Sequence, residues 1–457
     1  MEQAKEWISK IAEFIWGFPM ITLFILAGLY ITVRLGFLPF RHFPHIIKMT
    51  LGQIGKKGDA SSGGISPFAA FTSALSATAG ATNIVGVPVA IAFGGPGALF
   101  WMWTVALIGM STIFAELVLG MTYREKNKED KWVGGPYYYL SKGLKWDKLA
   151  WFYAFGLMIE IVPSVMVQAN SVSVQLENEH GFSLLWIGIV LAIVTAFIVF
   201  GGIDRIGKLS SKLLPVFVIG YVGLTTTVII MNGDKFGSVL KMIVMDAFTP
   251  SAAVGTFAGA SIVQTMRWGL ARGLYTSEAG MGTSAIAYAS AETDSPVKQS
   301  FWGMIAVMID TLVICTLTGL TVIITGVWKE LEPSKAASMV TKAFKETFPD
   351  QFSAVTLSVL LVFFVLATVG VIIFYGESQA ELLFGKKVKY VMRVVYLIAI
   401  VVGAMGGLKF VWELLDLILF LIVVPNIIGI VFLIKVVKEA KVKYFADLLK
   451  EKKKAAK

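Results

Sequence analysis

The sequence predicts an all-α polytopic membrane protein with 11 transmembrane helices, and three observations predict it. Of 457 residues, 56% are hydrophobic and only 15% charged, whereas soluble domains carry about 25% charged residues. Mean hydropathy is +0.75. Apolar runs of about 20 residues recur from end to end, each long enough to cross a hydrocarbon core about 30 Å thick. No polar linker divides the chain, so 1–457 reads as a single transmembrane domain.

The segments follow in order. The first, 17–38, is preceded by Met1-Glu2-Gln3-Ala4-Lys5-Glu6, which lacks the basic n-region of a cleavable signal, so this span is expected to stay. Next come 66–93, 97–122, 149–175, 184–200 and 209–232, then 253–283, 299–327, 352–382, 388–404 and 409–435. A basic tail, 436–457, carries Lys450, Lys452, Lys453 and Lys454. With the N-terminus outside, about three quarters of the 40 Lys and Arg fall on the cytoplasmic side, the bias the positive-inside rule requires. The expectation is a multi-pass protein of the cell membrane, N-terminus outside and C-terminus cytoplasmic.

That assignment changes the meaning of the net charge of +10. In a chain this apolar it marks cytoplasmic loops facing a lipid bilayer, and no nucleic-acid partner is expected. The single cysteine, Cys315, lies within an apolar run and allows neither a disulfide framework nor a cysteine metal site. His42, His45 and His180 fall in polar loops, so no span offers the Ser/His or Cys/His constellation of an intramembrane enzyme. No enzyme activity is expected.

Two spans do not read as plain Leu, Ile, Val and Phe. The second places Ser76, Thr78, Gly80, Thr82 and Asn83 at its centre, then Gly86 and Pro88. The seventh carries Gln264, Thr265, Arg267, Gly269, Arg272, Gly273 and Glu278. Backbone that leaves helical pairing inside a membrane must face protein or line a cavity. Setting the first span aside leaves ten: a repeat over 66–232 and a second over 253–435, each opening on an interrupted helix. Five spans per repeat is an odd number, so the second repeat is inverted. That pattern points to a secondary transporter with its site at the midplane. An unwound segment frees N–H groups that favour a carboxylate and C=O groups that suit Na⁺ or an ammonium, which matches a zwitterionic amino acid.

The residues that carry a resemblance are then specific. Gly94-Gly95-Pro96-Gly97-Ala98-Leu99-Phe100-Trp101-Met102-Trp103 leads to Gly109. With it stand Ser66-Pro67-Phe68, Asn83 with Gly86-Val87, Gly134-Gly135-Pro136-Tyr137-Tyr138, Arg272-Gly273-Leu274-Tyr275 and Glu278-Ala279-Gly280-Met281-Gly282. Together they resemble the alanine or glycine:cation (sodium) symporter family of the amino acid-polyamine-organocation superfamily, over nearly the whole chain. The resemblance implies a leucine-transporter-type fold, one N-terminal helix plus a 5+5 inverted repeat. It also implies symport of alanine or glycine with a co-transported sodium ion by alternating access. Three positions depart from the family pattern: Thr82 replaces a glycine, Ser277 an asparagine and Tyr288 a histidine.

Site expectations follow. Thr78, Ala79 and Gly80 are expected to bind substrate through backbone groups, and Asn83 either to ligate an ion or to cap the second half-helix. By analogy with the fold, a sodium ion would bridge the Ser76 and Ala79 carbonyls to Ala367 and Thr368 in the ninth span. Gln168 and Asn170 either hold a carboxylate or bond helices together. Gln264 and Trp268 are candidate pocket wall, with Met266 and Phe257 adding bulk. Glu160 and Asp310 lie deep in apolar runs, where ionisable groups are functional suspects; each pairs with Arg267 or Arg272, or carries a proton. Glu116 and Glu377 read as gate or structural pairs. A proton-coupled amino acid transporter of the same fold is the alternative.

Overall fold

The structure is a computed structural model that describes residues 2–54, 66–128, 130–249 and 261–455. Within these residues it is helical almost throughout, because a chain crossing lipid must satisfy every backbone group internally. Helices α1 (Glu2–Trp16) and α2 (Phe18–Arg34) meet at Gly17. Together they give an apolar stretch from Glu6 to Arg34, so the first span begins earlier than its apolar core suggests. The second span is broken into α3 (Pro67–Thr78) and α4 (Val87–Gly94), joined through a wide turn at Thr82–Gly86. Ser66 caps α3 by accepting the Ala69 N–H at 3.1 Å, and the two halves are bent by 44°.

Long helices follow: α5 (Ala98–Thr122), α6 (Asp147–His180), α7 (Leu184–Phe200), α8 (Gly202–Met231) and the shorter α9 (Phe236–Asp246). The seventh span is described from Ser261 onward as α10 (Ile262–Ser277) and α11 (Thr283–Ala289); its start, with Phe257, lies outside the described residues. Then come α12 (Pro296–Val307) and α13 (Thr316–Thr325), joined by a wide helical turn at Met308–Cys315. The chain finishes with α14 (Asp350–Phe384), α15 (Lys386–Ala404) and α16 (Leu408–Ala455).

Seven described helical stretches are long and apolar enough to cross a membrane, and the bent α3–α4 pair makes an eighth. The other sequence-expected spans are shorter or less uniform. α7 has 17 residues, and the first turns of α15 carry Lys386, Lys387, Lys389 and Arg393. The basic tail is no loose end but the continuation of α16.

Contacts sort the helices into two groups. α6 packs against α14, α15 and α16, while α5 packs against α10, α12 and α2. The broken span lies where these groups meet: α3 touches α8, α11, α12 and α14, and α4 lies on α10. Large apolar side chains such as Phe197, Phe200, Ile219, Ile398 and Phe432 point outward, as a lipid-facing surface requires.

Candidate functional site

The helical path of the second span stops at Ala79 because its ψ of 79° leaves the helical region. Freed backbone groups then find side-chain partners. The Gly80 N–H donates to Asn83 Oδ1 at 3.0 Å and the Ala81 N–H to Gln168 Oε1 at 3.0 Å. At the same break, Thr368 Oγ1 of α14 donates to the Ser76 carbonyl at 2.8 Å and lies 3.4 Å from that of Ala79. Glycine is required at 80: a Cβ there would stand 2.6 Å from Thr368 Oγ1 and 3.1 Å from Gln168 Oε1. The hydroxyls of Ser76 and Thr78 bond back to Thr72 and Leu75 of their own helix, leaving their backbone groups to face the break.

Asn83 does more than cap. Its Nδ2 donates to Asp310 Oδ1 at 2.7 Å, and Asp310 Oδ2 accepts from Thr311 Oγ1 at 2.9 Å. Asp310, with no exposed surface, is tied to the break through an amide and pairs with neither Arg267 nor Arg272.

The break of the seventh span falls later than its polar residues suggest. Gln264 to Arg272 ride on unbroken helix, and the interruption is Glu278–Gly282, where Glu278, Gly280 and Gly282 take φ of 52°, 106° and 78°. Glu278 Oε2 accepts from Thr283 and Ser284, both at 2.8 Å. The Gly280 N–H donates to Glu116 Oε1 at 2.7 Å, and Tyr153 donates to the Met281 carbonyl at 2.8 Å. Asn426 of α16 also donates to Glu116 Oε1, at 2.6 Å, and accepts from Tyr139.

Between the two breaks lies a small cavity lined by Ala77, Thr82, Glu160, Ile161, Ser164, Gln168, Tyr275, Glu278, Met281, Thr283, Ile372 and Tyr375. Glu160 accepts from Ser164, which accepts from Tyr275 at 3.1 Å. Thr82, a departure from the family pattern, therefore lines the cavity. Ser277 bonds back to the Gly273 carbonyl at 2.8 Å, and the buried Tyr288 hydroxyl has no partner among the described residues.

The structure thus brings together Ser76, Thr78, Ala79, Gly80, Asn83, Gln168 and Thr368. Ala367 lies beside Thr368 in unbroken, half-buried helix. Asn170, one half-turn beyond Gln168, points elsewhere, donating to the Gly403 and Gly406 carbonyls at 3.1 and 2.5 Å. Gln264 and Trp268 lie at another level: Gln264 donates to Glu13 of α1, and Trp268 stacks on Phe93 at 4.8 Å. Beside Trp268, Arg272 pairs with Asp416 and sits 4.4 Å over the Trp412 ring, wholly buried. Arg267 has Glu13 at 3.8 Å, and Arg393 holds Glu377 at 2.5 and 2.7 Å. Sequence reasoning passed over Asp416 and Asn426, named Tyr275 only in a motif, and gave Glu278 a place in a motif and among the polar residues of the seventh span but no site role. The glycines at 280 and 282 were the available signal for the second break.

A broken helix whose freed donors and carbonyls face side chains at mid-span, walled by a second interrupted segment, defines a transporter of the leucine-transporter-type fold. A solved structure of MhsT in complex with L-phenylalanine shares that fold. It has a TM-score of 0.60 and 15% identity, covering 82% of this chain and 90% of that one. A model of the sodium:alanine symporter family matches residues 1–457. The chain belongs to the sodium:alanine symporter family, and is a sodium/alanine-type amino acid symporter rather than an enzyme. It is 46% identical to YflA of Bacillus subtilis, an uncharacterized transporter, over 98% of this chain and 95% of YflA. It is 35% identical to the sodium/alanine symporter AgcS of Methanococcus maripaludis, over 98% of this chain and 99% of AgcS.

Proposed function

We propose that this symporter couples inward movement of Na⁺ to uptake of alanine and glycine by alternating access, with its N-terminus outside the cell. The observation that carries this reading is Thr368 Oγ1 lying between the Ser76 and Ala79 carbonyls, close to the Gly80 and Ala81 N–H groups at the same break. Three oxygens that converge from two helices suit a Na⁺ ion once the hydroxyl turns its lone pairs inward. The N–H groups would suit a substrate carboxylate once it displaces the Asn83 and Gln168 oxygens that accept from them here. Helix α14 belongs to one packing group and α3 lies at the junction with the other. An ion bridging them would therefore favour the closed arrangement, which is what coupling demands.

The driving force is sufficient. One Na⁺ carried with a neutral zwitterion gains about 2.3 kcal/mol at 100 mV. A tenfold Na⁺ gradient adds about 1.4 kcal/mol, together enough for a substrate gradient of a few hundred-fold. The test is uptake of radiolabelled alanine and glycine into proteoliposomes with Na⁺ replaced by K⁺ or choline. Loss of accumulation on replacement is expected; undiminished accumulation refutes sodium coupling. One observation favours proton coupling as a second reading: Asp310, hydrogen-bonded into the break through Asn83, has no basic partner among the described residues. Accumulation driven by a pH gradient without Na⁺ would decide for it.

A further inference from the structure

We propose that the cavity between α6 and the Glu278–Gly282 break is a proton site, in which Glu160 and Glu278 share one exchangeable proton while the cavity is closed. Both carboxylates line the same small cavity, with 1% and 4% of their surfaces exposed. Among the described residues neither has an ion pair. Arg272, Arg267 and Arg393 are engaged with Asp416, Glu13 and Glu377. Two carboxylates in one low-dielectric space cannot both remain ionised without a cation, and a shared proton is the least demanding way to meet that condition.

A second observation points into the same cavity. Tyr375 lines it and has no exposed surface, and its hydroxyl has no hydrogen-bond partner among the described residues. The groups that face the pair are Tyr275 from α10, Tyr288 from α11, Tyr375 from α14, Tyr396 from α15, Glu116 from α5, Tyr153 from α6 and Asp310 from the turn at Met308–Cys315; none is basic. A sodium ion is the poorer occupant. Ser164 already donates to Glu160, and Thr283 and Ser284 both donate to one oxygen of Glu278, so these hydroxyls are spent on the carboxylates instead of converging on an ion. Glu278 belongs to the break itself. Losing the shared proton leaves two like charges between α6 and the break and forces them apart, so proton release accompanies opening of the cavity.

The inference rests on the transport reading only for this last consequence, and the experiment separates the two. Infrared difference spectra of the purified full-length protein, titrated between about pH 5 and 8, report a protonated carboxyl C=O band whatever the substrate. A titrating band that is lost in Glu160→Gln and is shifted or lost in Glu278→Gln is expected. A band unaffected by either substitution, or no titrating band, overturns the proposal. If Glu160→Gln does not fold, heats of alanine binding to the wild type in two buffers of different ionisation enthalpy count the protons exchanged. A fractional count that varies with pH supports the site, and zero throughout overturns it. In proteoliposomes at fixed Na⁺ gradient, wild-type uptake should change by up to about tenfold per pH unit on one flank of its profile, as one proton dictates. Glu160→Gln should flatten that flank; an unchanged profile in the variant overturns the coupling of the proton to opening. Absence of alanine uptake at every pH, with the infrared band intact, refutes the transport reading and leaves the proton site standing.

Discussion

At the scale of single residues, the site is a matter of which polar groups are left for a ligand once the fold has used the rest. Ser76 and Thr78 spend their hydroxyls on their own helix, and Asn170 spends its amide on the end of α15. Thr368 is different, because its hydroxyl leaves α14 to reach two carbonyls of the broken helix. A hydrogen bond or ligand contact to a charged group contributes about 1.5–3 kcal/mol, or about ten- to hundredfold in affinity. Thr368→Ala should therefore raise the Na⁺ concentration for half-maximal alanine uptake by at least about tenfold. The alanine KM at saturating Na⁺ should move much less. Thr368→Ser, which keeps the oxygen, should restore most of the loss. Equal shifts in both constants would show that the threonine acts through packing alone. Arg272 makes a contrasting case: buried, paired with Asp416 and flanked by Trp268 and Trp412, it is a charge the fold must keep compensated.

At the scale of elements, the two breaks are built differently, and this explains what could be read from sequence. Spans of apolar residues are legible because the bilayer demands them, and the break at Ala79–Ala81 is legible because small and hydroxyl residues interrupt the run there. The polar residues of the seventh span mislead. Gln264, Arg267 and Arg272 look like an interruption, yet each has a partner on α1 or α16, so the helix carries them unbroken. No local pattern shows partners 144 to 254 residues away. The true break rests on left-handed backbone, most tightly at Gly282, where φ is 78° and a Cβ would collide with Pro136 and crowd Tyr153 and Asn426. Gly282→Ala should therefore lower the initial rate of alanine uptake by at least about tenfold per folded molecule, since strain of about 1–2 kcal/mol adds to that collision. Gly181 supplies the control: its φ is 69° but nothing lies within 4 Å of an added Cβ. Gly181→Ala should bear the same backbone strain and keep near-normal uptake, with size-exclusion profiles normalising both variants. Comparable losses in the two would assign the effect to backbone strain, not to the break.

At the scale of the whole molecule, α16 connects both levels of the protein. Asp416 meets Arg272 on one side of the breaks, and ten residues further on Asn426 meets Glu116 and through it the Gly280 N–H. At 1.5 Å per residue these contacts lie about 15 Å apart along one helix axis, which is a suitable spacing for barriers above and below a midplane site. Which barrier faces the cytoplasm depends on orientation. The bias of Lys and Arg toward one set of loops predicts an N-terminus outside and the far end of α16 inside, which is the orientation proposed above. That end continues as helix to Ala455, beyond the apolar run 409–435 of the sequence. The native chain offers an unusually clean test, because its single cysteine, Cys315, is buried. Glu6 and Lys450 are both exposed, so Glu6→Cys and Lys450→Cys each create one accessible thiol. In intact cells a membrane-impermeant maleimide should label Glu6→Cys and spare Lys450→Cys, and permeabilisation should make the second react as strongly as the first. The opposite pattern would invert the protein. The Glu116–Asn426 contacts would then form the outer barrier and the Arg272–Asp416 pair the inner one, with the order of opening in the transport cycle reversed accordingly.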